Sequence, residues 1–112
     1  MRIKKEYVGR WRIIEMSGWD QDFVDLVAPG HISIKGNGSG SFAFGAMEAD
    51  IDCRIERIGE TERLVFSFVG WDEGDEFSGR GWGAITGRMM EGELLFHQGE
   101  QSSFRAKKQK PK

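Results

Sequence analysis

Few residues in this chain are of types that do chemistry, and their spacing limits what that chemistry is. His97 precedes Glu100 closely and follows the acidic run Asp72-Glu73-x-Asp75-Glu76. A histidine with Asp72 or Glu100 would be the minimum for acid–base work, although a histidine at a strand end also serves simply as a hydrogen-bonding group. Arg80 pairs with acidic loop neighbours or, as a functional residue, reads a carboxylate or phosphate through its planar fork. His31 and His97 are the only histidines, with no His-x-His and no Cys-x-x-Cys, too few for zinc without carboxylates. The acids at 72–76 lack the twelve-residue Ca²⁺ loop of an EF-hand and are expected to be a solvated loop. Gly79-Arg80-Gly81-Trp82-Gly83 and Gly36-Asn37-Gly38-Ser39-Gly40 are glycine-rich, but neither leads from a strand into a helix, as a phosphate-cradling loop does. The lone Cys53 is expected to be a small core hydrophobe. No metal, cofactor or catalytic residue is therefore assigned.

The elements that would position these residues are strands. From Met47 to Glu56, Met47, Ala49, Ile51, Cys53 and Ile55 alternate with charged residues, a period of two that marks a strand wet on one face. Similar stretches are Val8–Met16, His31–Lys35, Gly40–Gly45, Arg63–Trp71, Ser78–Thr86, Met90–His97 and Ser102–Lys107. The expected fold is all-β: an antiparallel up-and-down meander barrel of about eight strands. Turn lengths test the register. With Gly59-Glu60 as a two-residue turn, Ile55 opposes Leu64, Cys53 opposes Phe66, and Glu56 meets Arg63. With Gly45-Ala46 as a turn, Phe44 opposes Met47. An odd-numbered loop near Gly36–Gly40, such as Asn37-Gly38-Ser39, keeps Ile32 and Ile34 on the side of Phe42 and Phe44. Trp19, Phe23, Leu26 and Val27 are spaced as in a short helix between the first two strands; an extended Phe23–Val27 edge strand is the alternative.

Bulk properties fit one domain spanning 1–112, with basic tails at about 1–6 and 107–112. Charged residues make up 30% of the chain and hydrophobic ones 38%, a globular balance. Between Val8 and Ala106, 9 basic residues face 17 acidic ones, a net charge of −8, which argues against a nucleic-acid groove. No apolar run approaches membrane-spanning length and no leader pattern opens the chain, so the expectation is a cytoplasmic protein without membrane contact. The basic ends are expected to be frayed and solvated.

Gly9-x-Trp11 on a first strand, a short helical connection and then a meander resemble the calycin barrels, which include lipocalins, fatty-acid-binding and avidin-like proteins. The resemblance implies a tryptophan packed across the barrel floor. Gly9-Arg10-Trp11, Trp19-Asp20-Gln21-Asp22, Gly79-Arg80-Gly81-Trp82 and His97-Gln98-Gly99-Glu100-Gln101-Ser102 also look like a set of small bacterial proteins, a resemblance that implies no activity.

Two sites follow. The longer loops, Ser17–Gly30, Trp71–Phe77 and Gln98–Gln101, gather at one end of the barrel, where Gly70, Gly79, Gly81 and Gly83 thin the wall. A ligand cleft there would involve Trp19, Trp71, Asp72, Glu76, Arg80, Trp82 and His97, taking a small apolar or mixed-polarity molecule. Alternatively, the glycines only make room for bulky neighbours. The strand from Leu64 to Trp71 is apolar on both faces, so Val65, Val69 and Trp71 need cover from the Trp19 helix or from a second subunit, which makes a homodimeric interaction module the rival. An enzyme built on His97, Arg80 and the acidic residues is the third reading.

Overall fold

The computed structural model describes residues 3–110; the outermost tail residues 1–2 and 111–112 lie outside the described residues. Eight antiparallel strands follow one another round a closed barrel, in chain order: β1 Gly9–Met16, β2 His31–Ile34, β3 Ser39–Phe44, β4 Met47–Ile58, β5 Thr61–Asp72, β6 Asp75–Thr86, β7 Met89–Phe96 and β8 Gln101–Lys108. One short helix, α1 Gln21–Val24, joins β1 to β2. β8 closes on β1, with Trp11 opposite Lys108 and Met16 opposite Phe104, through an irregularity between Ile13 and Glu15.

Turn chemistry sets the register. Gly45 and Gly59 take φ of 58° and 61° at the first position of two-residue turns, where glycine carries no steric cost. Phe44 consequently pairs with Met47, Ile55 with Leu64 and Cys53 with Phe66. Glu56 faces Arg63, and their side chains form an ion pair of 3.0 Å. The β2–β3 loop holds the odd number that the inward faces require, but one step earlier than Asn37–Ser39: the Lys35 amide donates to the Ser39 carbonyl, and Ile32 pairs with Phe42.

Two expectations are corrected, and one alternative falls while the expected short helix between β1 and β2 stands. The acidic segment at 72–76 is no long loop, because β5 and β6 run on to an Asp72–Asp75 pair closed by Glu73 and Gly74, both at positive φ. The segment Phe23–Val27 is not a strand. Asp20 caps α1 by accepting from the Phe23 amide at 3.0 Å, and the helix ends at Val24. The basic ends are not frayed where described: Ile3 and Tyr7 are buried, Ile3 donates to the Gly36 carbonyl, and Lys107 and Lys108 belong to β8.

The interior is filled by alternate residues of every strand. Trp11 is wholly buried on the floor, its indole donating to the Tyr7 carbonyl at 3.0 Å, as the calycin resemblance implied. Above it, Phe42, Phe68, Phe77 and Phe96 form a ring cluster, with centroids 5.1 Å apart for Phe42–Phe68 and 5.2 Å for Phe68–Phe96. Edge-to-face packing of this kind adds to the area these rings bury. Among the described residues, no helix is long and apolar enough to cross a membrane.

Candidate functional site

The inward glycines of β6 settle what the thinned wall is for. A Cβ on Gly79 would come within 2.6 Å of Phe68 Cζ, one on Gly81 within 2.6 Å of Phe66 Cζ, and one on Gly83 within 2.7 Å of Met90 Sδ. Larger neighbours therefore occupy the space these glycines leave. Gly70 likewise lies against Ala49, where a Cβ would stand 2.7 Å from the alanine's own.

The end expected to open is capped. Trp19 packs on Phe44 at 5.0 Å and on Phe96 at 5.9 Å, and Phe23 covers Gly45. Of the four connections at that end only Ser17–Gly30 is long, and α1 lies over the barrel mouth rather than along the outside of β5. Arg12 anchors this cap through two hydrogen bonds to Asp25, of 2.9 Å and 2.7 Å, and Gln21 and the Gly30 amide donate to the same carboxylate. The Arg12 hydrogen bonds are the main cause that brings the Asp25 carboxyl from an ordinary 3.8 down to about 2.

Concave surface lies instead on the outer wall. A groove of ≈ 610 Å³ runs over β4–β7, formed by Arg54, Val65, Ser67, Arg80, Trp82 and Leu95 with the acids Asp52 and Glu93 at its sides. Register explains the grouping. Ser67, Arg80 and Leu95 stand in one cross-strand row, and Val65, Trp82 and Glu93 in the next. Ser67 is the small residue that makes the depression. Trp82 is fixed on both sides: its indole donates to Glu93 at 3.2 Å and the Arg63 guanidinium lies 5.0 Å from its ring centroid. Gln101 holds the other oxygen of Glu93 at 2.7 Å. Arg80, by contrast, is exposed and forms no ion pair among the described residues, contrary to the expected partnership with acidic loop neighbours.

The sequence-predicted residues fall in several places. Arg80 and Trp82 share this groove, and Val65 lines it. His97 lies beyond Arg80 in an adjoining depression that includes Ser78 and Gln98. Its amide donates to the Ser78 carbonyl, while its ring makes no hydrogen bond to Asp72, Glu100 or any other carboxylate among the described residues. Trp71 lines a separate trough on β2–β5, opposite Glu76 on β6. Asp72 sits at the β5–β6 turn and Trp19 at the barrel mouth. Val69 and Trp71 are 40% and 50% exposed on the outside of β5, uncovered by α1. Leu95 and Ser67 were missed; consecutive Leu94-Leu95 carries the same two-faced apolar signal that marked Val65.

The remaining reactive groups are quiet. Burial, aided by the neighbouring Asp52 charge, pushes the Cys53 thiol up to about 12. His31 Nδ1 lies 3.2 Å from the Pro29 carbonyl. Among the described residues no three His, Cys, Asp or Glu side chains converge as metal ligands.

Fold and wall together define a closed eight-stranded antiparallel β-barrel with a packed interior and a grooved exterior. Comparison with family models, curated proteins and solved structures finds no match to this chain.

Proposed function

We propose that this protein is a non-catalytic, calycin-like binding barrel that takes its ligand on the outer wall of β4–β7 rather than inside. The observation that carries the reading is Arg80, an exposed guanidinium without a carboxylate partner among the described residues, set in the ≈ 610 Å³ groove beside Trp82, Val65 and Leu95. That chemistry suits a small molecule joining an apolar body to a carboxylate or phosphate: the guanidinium takes the anion and the indole and aliphatic side chains take the body. Native mass spectrometry of protein purified from its source tests for such a ligand. Titration with 1-naphthoate tests the site, with naphthalene as the uncharged control. Saturable shifts of the Trp82 indole and Leu95 methyl resonances are expected, weakened at least tenfold in Arg80→Ala (about 1.4 kcal/mol per decade). Equal binding of naphthalene, or no loss in R80A, sinks the reading.

A homodimer through Val65, Val69 and Trp71 is the second reading, favoured by the exposure of Val69 and Trp71. A stable dimer buries about 800 Å² per partner, more than three side chains supply, so it would have to recruit the groove as well. Sedimentation showing a monomer throughout the micromolar range, unchanged by Val69→Lys, counts against it.

A further inference from the structure

Trp71 is 50% exposed on the outer face of β5, and its direct cross-strand neighbours on that face are Glu48 of β4 and Glu76 of β6. Residues directly opposite in antiparallel strands hold their Cβ atoms about 4.5–5.5 Å apart, so the indole stands between two carboxylates. Beside it a trough of ≈ 340 Å³ crosses β2–β5, because Ser41 and Ala43 are small. His31 bounds its far side, and Glu48 and Asp50 line it. Most acids elsewhere on β4 and β5 are matched: Asp52 pairs with Arg54, Glu56 with Arg63, and Glu62 with Lys4 and Arg57, leaving only Asp72 at the β5–β6 turn without an ion pair among the described residues. Glu48, Asp50 and Glu76 form no ion pair among the described residues. Unneutralised negative charge therefore flanks an open indole ring at the edge of a concave surface.

We infer that the Trp71 trough docks a lysine or arginine side chain carried by a basic segment of a partner protein. A cation is attracted by the face of the indole and by the carboxylates at once, whereas an anion or a purely apolar group would meet uncompensated charge. The trough is open along its length, so a small free amine would stay largely wet. A side chain delivered by its own backbone needs no enclosure, and the neighbouring acids can engage further basic residues of the same segment. The site is separate from the Arg80 groove and does not depend on its occupancy.

The test is an NMR titration of the full chain with pentalysine at low ionic strength. Saturable shifts are expected at the Trp71 indole and at the amides of Ala43, Glu48 and Glu76. Affinity should fall at least fivefold in Trp71→Ala and in the Glu48→Gln/Glu76→Gln double variant, all on the exposed face, and added salt should weaken binding. Shifts spread evenly over distant acids such as Asp22, Glu60 and Glu100, with W71A binding as wild type, would show only general attraction to an acidic body and overturn the assignment. A Trp71 signal that depends on protein concentration before peptide is added would place a second copy of the chain there, and would overturn the separate partner.

Discussion

Arg12 on β1 and Asp25 just past α1 are joined by two parallel hydrogen bonds, one from each terminal nitrogen to each carboxylate oxygen, at 2.9 Å and 2.7 Å. This pair fastens the only long connection of the barrel over its aromatic interior. The folded Asp25 carboxyl titrates at about 2 against an ordinary 3.8, so its contribution is complete at neutral pH. It fades as the pH falls from about 5 towards 2, because the unfolded chain then binds the proton more readily. Both side chains are partly exposed, which limits the effect. Asp25→Asn should lower stability at pH 7 by about 1–2 kcal/mol and show a shallower loss of melting temperature between pH 5 and 2 than wild type, measured by calorimetry.

Gly79→Ala and Gly83→Ala separate two kinds of crowding. The new methyl at 79 would stand 2.1 Å from the Leu95 carbonyl oxygen, which is backbone, while at 83 it would meet the flexible end of Met90. Urea denaturation should show G79A destabilised by about 2–3 kcal/mol and G83A by about 1 kcal/mol, within the range for overpacked cores. Equal losses would contradict this account of β6.

Cys53 should behave as a reporter of unfolding. With the thiol buried at 3% exposure and pushed up to about 12, native protein should resist thiol reagents at pH 8, where a free cysteine is largely reactive. Labelling should be immediate in concentrated guanidinium. Rapid labelling of the native state would mean that the β4–β5 wall opens readily.

Arg80→Ala should cost less than about 0.5 kcal/mol, since an exposed side chain without a partner contributes little to folding. Trp82→Ala forfeits the Glu93 hydrogen bond and the Arg63 stacking and should cost about 1–2 kcal/mol. Thermal melts of the two variants check the difference, and also establish R80A as a folded protein for ligand titrations.

Much of the barrel was legible because one residue step reverses every side chain of a strand. The pairing of Cys53 with Phe66 and of Glu56 with Arg63 followed from a single glycine-led turn. The β5–β6 hairpin was not legible, because Asp72-Glu73-Gly74-Asp75 has the composition of a solvated loop; the turn depends on Glu73 holding a φ of 51°, a conformation that a glutamate seldom adopts. The site was harder still. Trp71, Arg80 and Trp82 were correctly placed on neighbouring strands, with His97 falling just past the end of β7, but a loop cleft requires them to converge, and period-two geometry spreads them along an outer wall. Whether Gly79 and Gly81 open a pocket depends on where Phe68 and Phe66 point across the barrel, which spacing along one strand does not encode.

The seam between β1 and β8 sets a kinetic problem for the chain. Seven of the eight strand pairings are hairpins or near-neighbour contacts, while Met16 must find Phe104 across almost the whole sequence. Closing so distant a pair carries the largest entropic cost, so this pairing should form late. Until it does, both strands are unzipped edges able to recruit another chain. The irregularity between Ile13 and Glu15 and the outward Arg105 and Lys107 are features that discourage such recruitment. Removing those charges should leave the finished barrel nearly as stable while making its refolding more prone to aggregation.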